Sequence, residues 1–157
     1  MVAGLLAAGG CTLQDSGTPP PTATTTPGRS DTDLDLDLVG EARTALLEML
    51  DLARRTSLLH VGLAPALTPL VDLHTAHDAL LAESSPDPSP APTGSTVAPR
   101  SRPALALVRR REAALQAELA ALAGRARSGP LARLLASMSA AVAQHVARLP
   151  AERKEAA

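Results

Sequence analysis

The stretch PALALVRRREAALQAELAALAGRARSGPLARLLASMSAAVAQHVARLP, residues 103–150, decides the fold. Its first half repeats Leu105, Val108, Glu112, Leu115, Leu119, Leu122 and Ala126 at alternating spacings of three and four, which places them on one stripe of a helix opened by Pro103 and running to about Arg127. Ser128-Gly129-Pro130 then stops one helix and starts another in so few residues that the second must return antiparallel to the first. From Pro130 to Arg148 the stripe is Leu131, Leu135, Met138, Val142, His145 and Leu149, and Pro150 ends it.

Two more helices precede this pair. Leu38, Ala42, Ala45, Met49, Leu52 and Thr56 predict a helix over about 36–57, with Asp31, Asp33, Asp35 and Asp37 ahead of it at the end where the helix dipole favours negative charge. The alternation Leu34-Leu36-Leu38 also fits a short strand, but no second strand exists to pair with it. Leu63, Leu67, Leu70, His74, His77 and Leu81 form one stripe between His60 and Glu83. Pro65 and Pro69 leave its start open, with Thr68-Pro69 as one candidate for N-cap and first turn. The Pro/Ser/Thr-rich segment 84–102 reads as a long irregular linker between helices 2 and 3. Four amphipathic helices in 157 residues predict an all-α fold, a four-helix bundle over residues 34–149, followed by a disordered tail over 150–157.

Composition narrows the function. With 15 basic against 16 acidic residues and no Phe, Tyr or Trp, the chain offers neither a cationic field for phosphates nor rings for stacking on bases, so nucleic acid is not an expected partner. The core must be built from Leu, Val, Ala and Met, which suits closely approaching helices. Richness in Ala, Leu, Arg and Pro, with neither Ile nor Asn, looks like translation of a GC-rich genome. A single cysteine, Cys11, excludes an intramolecular disulfide and a multi-thiolate zinc site.

Cys11 follows Leu5-Leu6-Ala7-Ala8-Gly9-Gly10, a run that resembles the lipobox of bacterial lipoproteins, in which the cysteine is acylated and becomes the new N-terminus. Ala8 stands where that motif most often has Leu, and the ten preceding residues lack a basic n-region, which a start further upstream would supply. The Thr/Pro/Gly/Ser-rich segment after Cys11 reads as a flexible tether, so residues 1–33 are expected to hold the truncated signal and tether. The helix-two string from Leu73 to Leu81 (LHTAHDALL) and the fourth-helix strings Leu134-Leu135-Ala136-Ser137-Met138 and Gln144-His145 are similar to ferritin-like lipoproteins of unknown function from actinobacteria. That resemblance implies a ferritin-like bundle held outside the cytoplasmic membrane by a lipid anchor, and it implies no particular activity.

His74, His77, Glu112 and His145 interrupt otherwise apolar stripes. His74 and His77, three apart, are neighbours on one helix face. With Glu112, and with His145 or Glu48 as further ligands, they form a candidate site for a divalent metal such as zinc, copper or iron. The alternative reading makes them fillers at the core edge, with His74 bonded to a neighbour such as Asp78 and Glu112 to an arginine; then His74→Leu and His77→Leu are expected to be tolerated. A ferritin-like di-iron centre needs Glu-x-x-His on two helices, and this chain has none. Phosphate-loop, nucleophile-elbow and His-Glu-x-x-His motifs are absent too, which points away from an enzyme. Arg109-Arg110-Arg111 reads as a solvated face or a contact with anionic headgroups.

Topology bears on the metal reading. In an up-down-up-down bundle helices 2 and 4 run parallel and His145 comes level with the helix-two pair. If the linker crosses the bundle, His145 lies towards the other end, since six or seven residues of helix rise about 10 Å. A linker of about nineteen residues reaches in either case. The leading expectation is thus an extracytoplasmic, lipid-anchored structural or interaction module, with a metal-binding protein as the alternative. If Cys11 is diacylated, the chain expressed with its full leader fractionates with membranes and the Cys11→Ser variant does not; equal membrane association of the two would remove the anchor.

Overall fold

A computed structural model describes residues 30–84, 94 and 96–150. Cys11, the tether to residue 29, most of the linker and the tail from 151 lie outside the described residues. Within them the chain forms four helices, α1 (Asp31–Leu59), α2 (Ala64–Ala82), α3 (Ser101–Arg125) and α4 (Gly129–Arg148), with a 3₁₀ turn at Val61–Leu63.

Helix α1 starts earlier than the apolar period indicates. Ser30 caps it with a reciprocal box: the Ser30 hydroxyl accepts from the Asp33 amide at 3.1 Å and the Asp33 carboxylate accepts from the Ser30 amide at 3.2 Å. The boundary of the bundle therefore falls at residue 31 rather than 34, and Leu34, Leu36 and Leu38 are helical, not a strand. Asp35 serves a different helix from the one it sits on. Its carboxylate accepts from the backbone amides of Arg127 and Ser128 at 2.7 and 2.9 Å, closing the α3–α4 turn. Those bonds, the Arg127 amide foremost, hold its pKa below the usual carboxylate value. At the start of α4 the Ser128 hydroxyl accepts from the Leu131 amide.

Pro65 opens α2 in its first turn, and Pro69 lies inside the helix rather than at its start. The bond that Pro69 cannot make is to the Pro65 carbonyl, close enough to the exposed N-terminus for water to serve that group. Helix α3 begins at Ser101, two residues before Pro103, so the linker is shorter than 84–102.

Helix α1 carries two buried stripes, Leu38-Ala42-Met49-Leu52-Thr56 and Val39-Arg43-Leu46-Leu50-Ala53, because it packs against both α2 and α3. Helix α4 packs along α3 and to a lesser extent α2, leaving α1–α4 and α2–α3 as diagonals. Directions follow from paired residues. Arg43 meets Asp78; Glu41 meets Arg125 while His60 meets Ala98; Gln116 meets Ser139 while Arg109 meets Leu149. Helix α1 is thus antiparallel to α2 and to α3, and α3 to α4, so α2 and α3 run the same way and the chain between them joins opposite ends of the bundle. Gly94 and Ala98 mark that passage beside the last turns of α1: a Cβ on Gly94 would collide with the Arg55 guanidinium, and the His60 Nε2 donates to the Ala98 carbonyl at 2.9 Å.

The core is Leu46, Leu52, Leu67, Leu70, Leu81, Val108, Leu115, Leu119, Leu122, Leu135, Met138 and Val142, drawn from all four helices. Each such side chain contributes about 2 kcal/mol by leaving water. No single described helix is long and apolar enough to cross a membrane.

Candidate functional site

His74 on α2 and Glu112 on α3 meet across the bundle diagonal. Both side chains are 0% exposed, and the imidazole Nε2–H donates to Glu112 Oε1 at 2.8 Å. His74 Nδ1 and Glu112 Oε2 are buried without a hydrogen-bond partner, as are His77 Nδ1 and the Thr56 hydroxyl. This is an unusually polar centre for a core otherwise made of leucine, and each unsatisfied atom there works against folding.

His77 stands one turn along α2, its ring centroid 6.4 Å from that of His74 and the planes 65° apart. Burial, then the neighbouring His74 and His145, lower its pKa from 6.5 to about 4. His145 stands apart from the helix-two pair along the bundle. It lies beside Pro69 and Leu70 at the other end of α2, and its Nδ1 donates to the Ala141 carbonyl one turn back at 3.0 Å. Glu48 is exposed on the far side of α1 with Glu41 and Glu118, where partial burial and then Glu48 and Glu41 raise the pKa of Glu118. Of the five candidate ligands the fold bonds His74 to Glu112 and leaves His77 beside His74 on α2, while His145 and Glu48 stand apart. Among the described residues no three such side chains converge in a group that could hold a metal ion.

Two pairings differ from expectation. Glu112 binds His74 rather than an arginine, and Asp78 binds Arg43 of α1 at 2.8 Å rather than His74. Arg43 was absent from the expected α1 stripe; its signal is its place at the Val39-Arg43-Leu46 spacing, visible only if α1 is allowed two packed faces. Ser139, also buried, donates to the Gln116 carbonyl at 2.8 Å and pins α4 to α3.

Chemically, the pair can fix the register of two helices. Comparison with protein-family models, with curated proteins and with solved structures finds no match to this chain.

Because Glu112 depends on His74, His74→Leu is expected to destabilise rather than be tolerated. Glu112→Ala and His74→Leu should each cost about 3–5 kcal/mol, while His74→Leu/Glu112→Leu should recover most of it, since apolar pairs replace buried polar pairs with little loss. Urea unfolding followed by circular dichroism checks this; simple additivity of the single effects would show that the two side chains are not coupled. For His77 the unfolded chain takes up a proton at 6.5 and the folded chain only near 4, so stability is full above pH 6.5 and falls as pH drops towards 4. That loss should reach about 2–3 kcal/mol and be missing from the pH profile of His77→Leu.

Proposed function

We propose that this chain is a lipid-anchored, extracytoplasmic helical module of the cell envelope, tethered through Cys11, whose bundle acts as a structural or interaction element rather than a catalyst. The observation that carries this reading is the burial of His74 and Glu112: the pair is 0% exposed and its hydrogen bond joins two helices. The order of neighbours, with α2 and α3 parallel on a diagonal, supports the ferritin-like part of the resemblance, because ferritin-like bundles also use one long crossover. The lipobox-like run before Cys11 and the tether composition after it support the anchor.

A di-iron centre does not fit these residues. Among the described residues the core offers one carboxylate, Glu112, where such a centre needs a Glu from each of two helices and Glu-x-x-His from the other two. A second reading, a single divalent ion taken up by His74, His77 and Glu112, is favoured by the unpartnered His74 Nδ1, His77 Nδ1 and Glu112 Oε2.

Thermal melts separate the two. The structural reading expects the melting temperature of wild type and of His74→Leu/His77→Leu to be unmoved by zinc, copper or iron. A zinc-dependent rise confined to wild type would install the metal reading, because a ligand that binds only the folded state must stabilise it.

A further inference from the structure

At the α1–α2 turn three apolar side chains face solvent almost in sequence: Leu58 is 81% exposed, Leu59 58% and Val61 76%. They crown a convex tip, where the apolar stretch running from α1 into α2 bends by 119°. Arginines surround it. Arg54 and Arg55 lie within the last two turns of α1, Arg100 and Arg102 flank the start of α3, and Arg148 ends α4 beside Pro65 and Ala66. The bond from His60 to the Ala98 carbonyl ties the tip to the residues leading into α3, so the Arg100 side of the rim is held next to the apolar crown. Helix α3 begins at this end with no acidic residue in its first turn. The nearest described carboxylates on α1 and α2, Asp51 and Asp72, stand at least about two turns back from the tip, and Asp51 is paired with Arg55. The opposite end carries Asp31, Asp33, Asp35, Asp37 and Glu83, with Arg125 and Arg127 paired there to Glu41 and Asp31.

We propose that this tip docks on an anionic phospholipid surface, with Leu58, Leu59 and Val61 entering the headgroup–acyl boundary and the arginine rim meeting the phosphates. A convex apolar point ringed by cations is complementary to a negatively charged bilayer, which yields to a wedge and supplies both an apolar layer and anions. Three side chains on a turn are far too few to span the membrane, so the contact is interfacial and reversible. It does not depend on acylation at Cys11.

The test uses the full chain carrying Cys11→Ser, so that no acyl chain contributes, and co-sedimentation with vesicles of phosphatidylcholine alone or mixed with phosphatidylglycerol. Binding is expected to the mixed vesicles and to weaken steeply with salt. Leu58→Ser/Val61→Ser should weaken it about tenfold or more, and Arg100→Gln/Arg148→Gln by about fivefold per arginine on anionic vesicles only. Circular dichroism of these surface variants confirms that the fold is kept. Failure of the chain to bind mixed vesicles would overturn the proposal, as would equal binding by the serine variant. So would a dimer in sedimentation velocity that Leu58→Ser/Val61→Ser dissolves, which would assign the tip to a second copy of the chain.

Discussion

The hydrogen bond between His74 and Glu112 is the constraint on which the rest of the bundle turns. Leucine packing is strong but not directional, and a core of Leu, Ala, Val and Met with no aromatic ring tolerates many nearly equivalent slides of one helix along another. A buried carboxylate does not, because moving α2 by one residue against α3 would leave Glu112 in hydrocarbon surroundings with no donor at all. Neighbouring helices are aligned by other polar contacts, Arg43 with Asp78 for α1–α2, Ser139 with Gln116 for α3–α4 and Glu41 with Arg125 for α1–α3. The His74 bond fixes a diagonal, and with both diagonal partners in place the remaining neighbours have little freedom left.

The stripes that build the core were legible because burial in a helix imposes a period that composition cannot hide. Leu67, Leu70, His74, His77 and Leu81 on α2, and Leu105 through Leu122 on α3, are the buried positions of their helices. Less legible were the features that arise from contacts distant in sequence. Four aspartates ahead of a helix look alike to a dipole argument, yet only the fold makes Asp35 the lock of a turn more than ninety residues away, while Ser30 and Asp33 cap their own helix. Arg43 was missed because α1 was assigned one packed face, and a helix with two neighbours on its flanks has two. The partner of His74 was beyond sequence reasoning for the same cause: Asp78 is one turn away along the chain, but Glu112 is the group that the topology brings within reach. The proline at position 69 misled through a rule that holds inside long helices and loosens near their starts.

Charge is sorted along the bundle as well as around it. Aspartates gather where α1 begins, partly matched there by Arg125 and Arg127, and arginines gather without nearby acidic side chains on α3 or α4 where α1 ends and α3 begins. The crossover makes this possible, since it places the basic residues preceding α3 beside the apolar turn rather than beside the acidic start of α1. An anchor at the N-terminal side would attach at the acidic end, and a tether of about eighteen residues is long enough for the basic end to turn back to the same membrane.

The same crossover divides the molecule into two helical hairpins, α1–α2 and α3–α4, each closed by a short turn and each held by contacts between near neighbours in sequence. Hairpins of this kind form in microseconds, whereas their union must wait for contacts that span the linker, such as Asp35 with Ser128 and His74 with Glu112. The long connection supplies proximity and little else to that union, because the loop-closure entropy it saves grows only slowly with length. Two separately synthesised hairpins therefore carry, between them, nearly all the surfaces that recognise each other, and the molecule is organised as an intramolecular heterodimer.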